Sequence, residues 1–361
     1  MTPATDRTSS RHALVRRLIN AEHGGRIADA THIGASAEIH LGLQWHMMLA
    51  SLDSSLRGLA VAWYDKRVPT AEPLRDSIIT SVMTRASRNG GFVTRADLSW
   101  VSLPSGEGRR VIDAARGIWN PRDMDATLSV VSSPNGPYAD REVEGGLFHY
   151  SYREGSINGD NAKLRRAFEL GVPIILLRKV RDGVYVPYAP VYVVEDLVDQ
   201  REFLLALDES VRFLGLGRPD APERRYAERV VKQRLHQADF RGRVIAAYET
   251  RCAICRLRHG ELLDAAHIIP DHDEAGLPAV SNGLALCKIH HAAFDMNMLG
   301  ISPDYVVKID AKLLEEADGP MLLHGLQEMH GTSLTVPVRR QDRPDKGRLE
   351  QRFAEFVGRA S

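Results

Sequence analysis

The sequence predicts a multidomain α+β protein. A mostly helical N-terminal region comes first, then a mainly β unit curved around one helix, then a small C-terminal unit of strands and a helix pinned by cysteine and histidine. Three observations predict it. The first hundred residues carry long apolar stretches at helical spacing without alternation. Residues from about 105 onward break into short β-rich runs separated by turn clusters. All three cysteines of the chain, Cys252, Cys255 and Cys287, fall between Arg251 and Asn297. At 361 residues the chain is long enough for two or three separate cores. We divide it at 1–104, 105–215, 222–318 and 319–361.

Hydrophobic content of 43% and charged content of 26% are those of a globular protein. No apolar run approaches a membrane span, and the first residues lack a signal-peptide core. With its cysteines committed to a metal, the chain is expected to be cytoplasmic, with no membrane partner. Net charge is zero, which argues mildly against a nucleic-acid binder. The charge is segregated, however. Arg224 to Arg258 holds ten Lys/Arg against Glu228, Asp239 and Glu249, whereas Glu195 to Glu209 holds six acids against Arg201 alone.

In chain order, HALVRRLINAEH and the block 36–66 read as helical, and AEPLRDSIITSVMTRASRNGG ends a further helix on Gly-Gly. Thr94 is placed to cap a short helix. That arrangement fits either a helix-turn-helix unit or a generic helical cap. SLPSGEGRR marks a break, after which ATLSVVSS, GLFHYSY, VPIILLRKV and GVYVPYAPVYVV read as strands. NAKLRRAFELG interrupts them as a helix ending on Gly171, so a small barrel or curved sheet is expected. The acidic run 194–210 and LGRPDAPERR form the next boundary. The long basic helix RRYAERVVKQRLHQADFRGRVIAAY follows; Arg234, Arg241 and Arg243 on it are candidates for phosphate contacts, alongside a plain covering role. The tail after residue 342 includes RLEQRFAEFV, a helix that docks or dimerises.

The C-terminal unit carries the chemistry. Cys252 and Cys255 stand as C-x-x-C, and Cys287 is followed three residues later by His290. Two paired ligand sets with nothing left over predict a closed structural zinc site rather than a redox pair. Between and beyond them lie His267, in the apolar run LLDAAHIIP, and Asn282, opening the strand SNGLALC. His291 and Asp295 stand at i and i+4 on the helix KIHHAAFDMN. Strand, turn and metal-bearing helix stapled by zinc make a ββα-metal finger, and the stretch resembles an HNH endonuclease of the zinc-stapled type. The resemblance implies that His267 is the general base, that Asn282 ties down the loop orienting it, and that His291 and Asp295 hold a catalytic Mg²⁺ or Mn²⁺. One departure is Ala266, where many members of that family carry another metal ligand. It leaves either two protein ligands and more water, or a loan from Asp264 or Asp271.

The middle unit resembles the SRA (PUA-like) curved β-barrel that reads modified cytosine. The order LSVVSS, PNGPYADRE, GGLFHYSY, REGSINGDN, AKLRRAFELG, VPIILLRKV, GVYVPYAPVYVV follows that pattern. The resemblance implies a flipped base held between Tyr138 and Tyr150, its edge bonded by Asp140. Asp140 lies one residue early, and Asn135-Gly136-Pro137 replaces the usual Gly-Gly. Trp119, Tyr152 and Tyr188 are further aromatic candidates; any one tyrosine fits equally as an ordinary sheet residue. Together the two resemblances imply a metal-dependent endonuclease acting on double-stranded DNA that carries 5-methyl- or 5-hydroxymethylcytosine; since one finger makes one nick and a double-strand break needs two, a homodimer is expected. The alternatives are a sequence-specific HNH restriction enzyme for unmodified DNA, and a non-cleaving binder of modified DNA.

Overall fold

In the computed structural model the described residues are 72–113, 117–133, 147–153, 159–207, 222–273 and 276–360. The helices read before residue 72, and Tyr138 and Asp140, lie outside them. The first described element is α1 (Glu72–Asn89). It stops where Gly90 and Gly91 take φ of 89° and 106°, a backbone that side chains oppose. β1 (Val93–Thr94) leads into α2 (Arg95–Ser99). Thr94 and Asp97 cap that helix reciprocally: the Thr94 hydroxyl accepts from the Asp97 N–H, and the Asp97 carboxylate accepts from the Thr94 N–H.

A short hairpin of β2 (Val101–Ser102) and β3 (Gly108–Arg109) precedes the main sheet. Its strands are β4 (Ile118–Trp119), β5 (Ser129–Ser132), β6 (Leu147–Ser151), β7 (Ile174–Arg181), β8 (Val184–Leu197) and β9 (Glu202–Ala206), with α3 (Asp160–Leu170) between β6 and β7. The spatial order is β4-β5-β7-β8-β9-β6, and β1 joins through β8. Among the described residues only the β5–β7 pair is parallel. The long β8 pairs with β7 through its first part and with β9 through its second, with a register shift between Val193 and Glu195. The sheet therefore curls into a half-barrel, and among the described residues its end strands β4 and β6 do not join.

β7 reads as a continuous apolar run because both its faces are covered. Ile174 and Leu176 pack with Leu164 and Ala167 of α3, while Ile175 and Leu177 pack with Ile78 and Val82 of α1. α1 is thus a cap on the sheet. The acidic run also contributes to the sheet. Asp196 accepts from Arg165 (2.5 Å) and from Tyr152, and Glu202 pairs with His149 at 2.9 Å. These acids have partners inside the barrel instead of water, so their charge does not break the strands.

α4 (Pro222–Ala247) spans two cores. Val231 and Leu235 pack on Leu147, Leu204 and Ala206 of the sheet, and Phe240, Val244 and Ile245 enter the C-terminal core with Leu263 and Leu284. That core is built on β10 (Leu263–His267), β11 (Gly283–Cys287) and α5 (Lys288–Asp295), followed by β12 (Leu299–Ile301) and β13 (Val307–Ile309). Two short helices, α6 (Ala311–Glu315) and α7 (Pro320–Gly325), lead to α8 (Lys346–Ala360). α8 docks over β12: Leu349 is fully buried, and the Phe356 ring lies where a Cβ on Gly300 would come within 2.5 Å of it. No described helix is long and apolar enough to cross a membrane.

Candidate active site and metal centre

Cys252 and Cys255 sit on a tight turn. The Arg256 N–H donates to the Cys252 carbonyl at 3.0 Å, and Arg256 takes a φ of 62° to close it. Cys287 ends β11 and His290 follows one turn into α5, so strand pairing brings both halves together. The four donor atoms lie within 4.8 Å of one another. Cys255 Sγ is 3.9 Å from Cys287 Sγ, and Cys287 Sγ is 3.1 Å from His290 Nδ1. Sulfurs bound to tetrahedral zinc at about 2.3 Å stand about 3.8 Å apart, so the set fits that ion.

The outer contacts fit as well. His290 Nε2 lies 2.8 Å from the Gly325 carbonyl, which can only accept. The proton is therefore assigned to Nε2, leaving the Nδ1 lone pair facing the sulfurs. Hydrogen bonds from Cys252 and Cys255 push the Cys287 thiol down, while contacts with Cys255 and Cys287 push the Cys252 thiol up, so one proton is shared among closely packed sulfurs. The group is a candidate structural metal site with a closed donor set.

The second set gathers around the open face of the same unit. His267 is the last residue of β10 and pairs with Gly283, the first of β11, so it stands beside Asn282. Asn282 is fully buried. Its Oδ1 accepts from the Ile269 N–H at 2.9 Å, and its Nδ2 donates to the carbonyls of Ile269 (2.9 Å) and Leu277 (3.1 Å). One side chain thereby clips the segment leaving His267 to the one returning to β11. The His267 ring lies flat on Phe240, centroids 4.0 Å apart and planes at 10°. Burial holds the His267 pKa below its ordinary 6.5; Asp271 opposes this, His291 reinforces it and Asp295 opposes it. That shift favours the neutral form of the imidazole.

His291 and Asp295 face each other on α5, Nε2 to Oδ2 at 3.3 Å. Two ligands at about 2.1 Å on adjacent vertices of an octahedron stand about 3 Å apart, so the pair fits a small divalent ion. On the other side of His291, Asp264 Oδ2 lies 3.4 Å from Nδ1. Asp264 also accepts from Arg241 at 2.6 Å and from Lys288 at 2.7 and 2.6 Å. Burial raises its pKa, but hydrogen bonds from Lys288, His291 and Arg241 outweigh this and hold it below the ordinary value. Ala266 is fully buried in the core, and Asp271 is exposed.

Of the basic residues read from α4, Arg234 is exposed. Arg241 is engaged with Asp264 and the Gly260 carbonyl, and Arg243 with the carbonyls of Asp239 (3.3 Å) and Pro278 (3.0 Å). In the sheet, Tyr150 is buried, its hydroxyl 3.4 Å from the Gly117 carbonyl. Tyr152 stacks on Phe203, Trp119 donates to the Arg110 carbonyl, and Tyr188 donates to Asp239 at 3.0 Å. The sequence reading missed Phe240, Lys288 and the Gly325 carbonyl. An aromatic in a distant helix and a backbone oxygen leave no motif; Lys288 was legible only as the first residue of the metal-bearing helix.

A paired β10–β11, a helix carrying His and Asp, and a Cys₃His staple define a ββα-metal nuclease unit. Residues 252–302 match the family model of the HNH endonuclease. This part of the chain is an HNH endonuclease domain, and it places the enzyme among the DNA endonucleases. Among solved structures, the modification-dependent TagI restriction endonuclease is 19% identical, covering 67% of this chain and 86% of its own, with a TM-score of 0.25. The type IV phosphorothioation-dependent restriction endonuclease ScoMcrA is 16% identical, covering 46% and 49%, with a TM-score of 0.17. The chain thus spans about half the length of the latter, and at these scores no residue correspondence is drawn from either. No curated protein matches the sequence.

Proposed function

We propose that the protein cleaves double-stranded DNA containing modified cytosine, with the HNH unit hydrolysing the phosphodiester and the curled sheet reading the base. The observation that carries the hydrolytic half is the gathering of His267, Asn282, His291 and Asp295 on one ββα frame beside a zinc-fitting Cys₃His group. The reading half rests on the segment order of the middle unit, with Tyr138, Asp140 and Tyr150 as the pocket.

In this reading His267 takes a proton from the attacking water, whose oxygen bonds to phosphorus as the 3′-oxygen leaves. Asn282 holds the base in place by fixing the backbone on both sides of the loop. His291 and Asp295 would hold Mg²⁺ or Mn²⁺, which when bound would supply positive charge at the phosphate and the leaving oxygen. Zn²⁺ in the Cys₃His group is structural. Arg234 on α4 contacts DNA phosphates, whereas Arg241 and Arg243, read for the same role, are engaged within the chain, and a second copy of the chain supplies the second nick.

Digesting one plasmid with and without cytosine modification, in Mg²⁺, tests the reading. Cleavage of the modified form alone supports it. Equal cleavage would make the protein a nuclease for unmodified DNA, and modification-selective binding without cleavage a non-cutting reader. In binding assays on matched duplexes, Tyr138→Ala should weaken the modified duplex by about 1–3 kcal/mol, the scale of one base stacked on an aromatic ring. Equal losses on both duplexes would remove Tyr138 from the pocket.

A further inference from the structure

We propose that Asp264 is a positioning residue of the divalent-ion site: its carboxylate holds the Nδ1–H of His291, so that His291 presents Nε2, together with Asp295, to the metal. This rests on the reading of His291 and Asp295 as the ligands. The geometry offers two sides for an ion, because His291 faces a carboxylate through each nitrogen, Asp264 at 3.4 Å from Nδ1 and Asp295 at 3.3 Å from Nε2. A neutral imidazole carries one proton, so one side donates a hydrogen bond and only the other is free to ligate.

The surroundings of the two carboxylates decide between them. Asp264 is clamped by two cations from two different helices, Arg241 of α4 at 2.6 Å and Lys288 of α5 at 2.7 and 2.6 Å. A guanidinium and an ammonium at that range neutralise the carboxylate and repel an approaching divalent cation. Asp295 is exposed, and among the described residues no Lys or Arg pairs with its carboxylate. The ion therefore belongs on the Nε2 side. Asp264 then plays the part that carboxylates commonly play behind a metal-bound histidine, fixing tautomer and ring orientation. Its own position is fixed by β10, where it pairs with Leu286, and by the Arg241–Lys288 clamp. Asp264 is thus no replacement for the ligand absent at Ala266.

The test uses the full zinc-loaded chain and Mn²⁺ as probe, with free Mn²⁺ read by electron paramagnetic resonance. Wild type should bind one Mn²⁺ at this site, and His291→Ala and Asp295→Asn should abolish it. Asp264→Asn should weaken it about 10–100-fold while keeping one ion per site. Zinc content and melting temperature confirm that each variant is folded. Without Mn²⁺, ¹⁵N spectra should show His291 protonated at Nδ1 in wild type and shifted toward the Nε2–H form in Asp264→Ala. Abolition in Asp264→Asn as complete as in Asp295→Asn would make Asp264 a ligand and overturn the proposal. So would unchanged affinity and unchanged tautomer. Wild-type Mn²⁺ binding by His291→Ala would instead overturn the underlying assignment of the metal site, and the role of Asp264 with it.

Discussion

His267 is held by three things of different kind: its strand, the clip that the Asn282 amide places on Ile269 two residues further on, and the face of Phe240. None is a zinc ligand. His267→Ala should therefore abolish cleavage while zinc content, melting temperature and DNA binding stay at wild-type values; cleavage at the wild-type rate would exclude it as the base. The pH dependence follows from burial. A histidine whose pKa is lowered stays neutral to lower pH, so the acid limb of kcat/KM should fall below the ordinary 6.5. Removing the covering ring in Phe240→Ala should move that limb upward. A wild-type limb above 6.5 would contradict the assignment.

At the scale of elements, the finger has too few strands and too short a helix to stand alone. The Cys₃His group ties the Cys252–Cys255 turn to the end of β11 and the start of α5, and the His290–Gly325 hydrogen bond extends that tie to α7. Structural zinc in small units contributes about 10–16 kcal/mol of binding free energy, which becomes folding free energy. Cys252→Ser should lose the metal and lower the melting temperature of the C-terminal unit, with cleavage lost as a consequence. Metal analysis of the wild type should return about one zinc per chain. Finding none would refute a closed structural site.

For the whole molecule, the contact between sheet and nuclease combines apolar packing with a buried ion pair. Arg178 of β7 and Asp239 of α4 are 4% and 7% exposed and pair at 2.9 Å, and Tyr188 of β8 donates to the same carboxylate. Burial raises the Asp239 pKa even against Arg178 and Tyr188, so desolvation outweighs the pairing. Asp239 directly precedes Phe240, the residue stacked on His267, so the sheet and His267 contact adjacent residues of one helix. Arg178→Ala, which leaves a buried carboxylate without its ion-pair partner, should cost about 3–5 kcal/mol in denaturant unfolding, while Arg178→Met with Asp239→Leu should be near neutral. A small loss in Arg178→Ala alone would show that the interface is not locked by this pair. If the sheet reads the base, the double variant should also broaden the positions cut relative to a single modified cytosine, measurable by end-labelled mapping.

Local chemistry made much of this legible in the sequence. Cysteine and histidine spacing marked the zinc-fitting group, because a tetrahedral site needs four donors in two short pairs. Period and punctuation placed β10, β11 and α5, the Thr94 cap and the helix ending at Gly171, because each is a contest between a few neighbouring residues. Whatever depends on distant groups was decided only by tertiary packing. Asp264 reads as an acid in a strand until Arg241 and Lys288 close on it, and Phe240 reads as a core aromatic until β10 brings His267 beneath it. The acids at Glu195, Asp196 and Glu202 look like a solvated boundary until the sheet sets Arg165 and His149 against two of them. A charge keeps its sign along the chain, but its role depends on which counter-charge lies within a few ångströms, and only the folded backbone decides that.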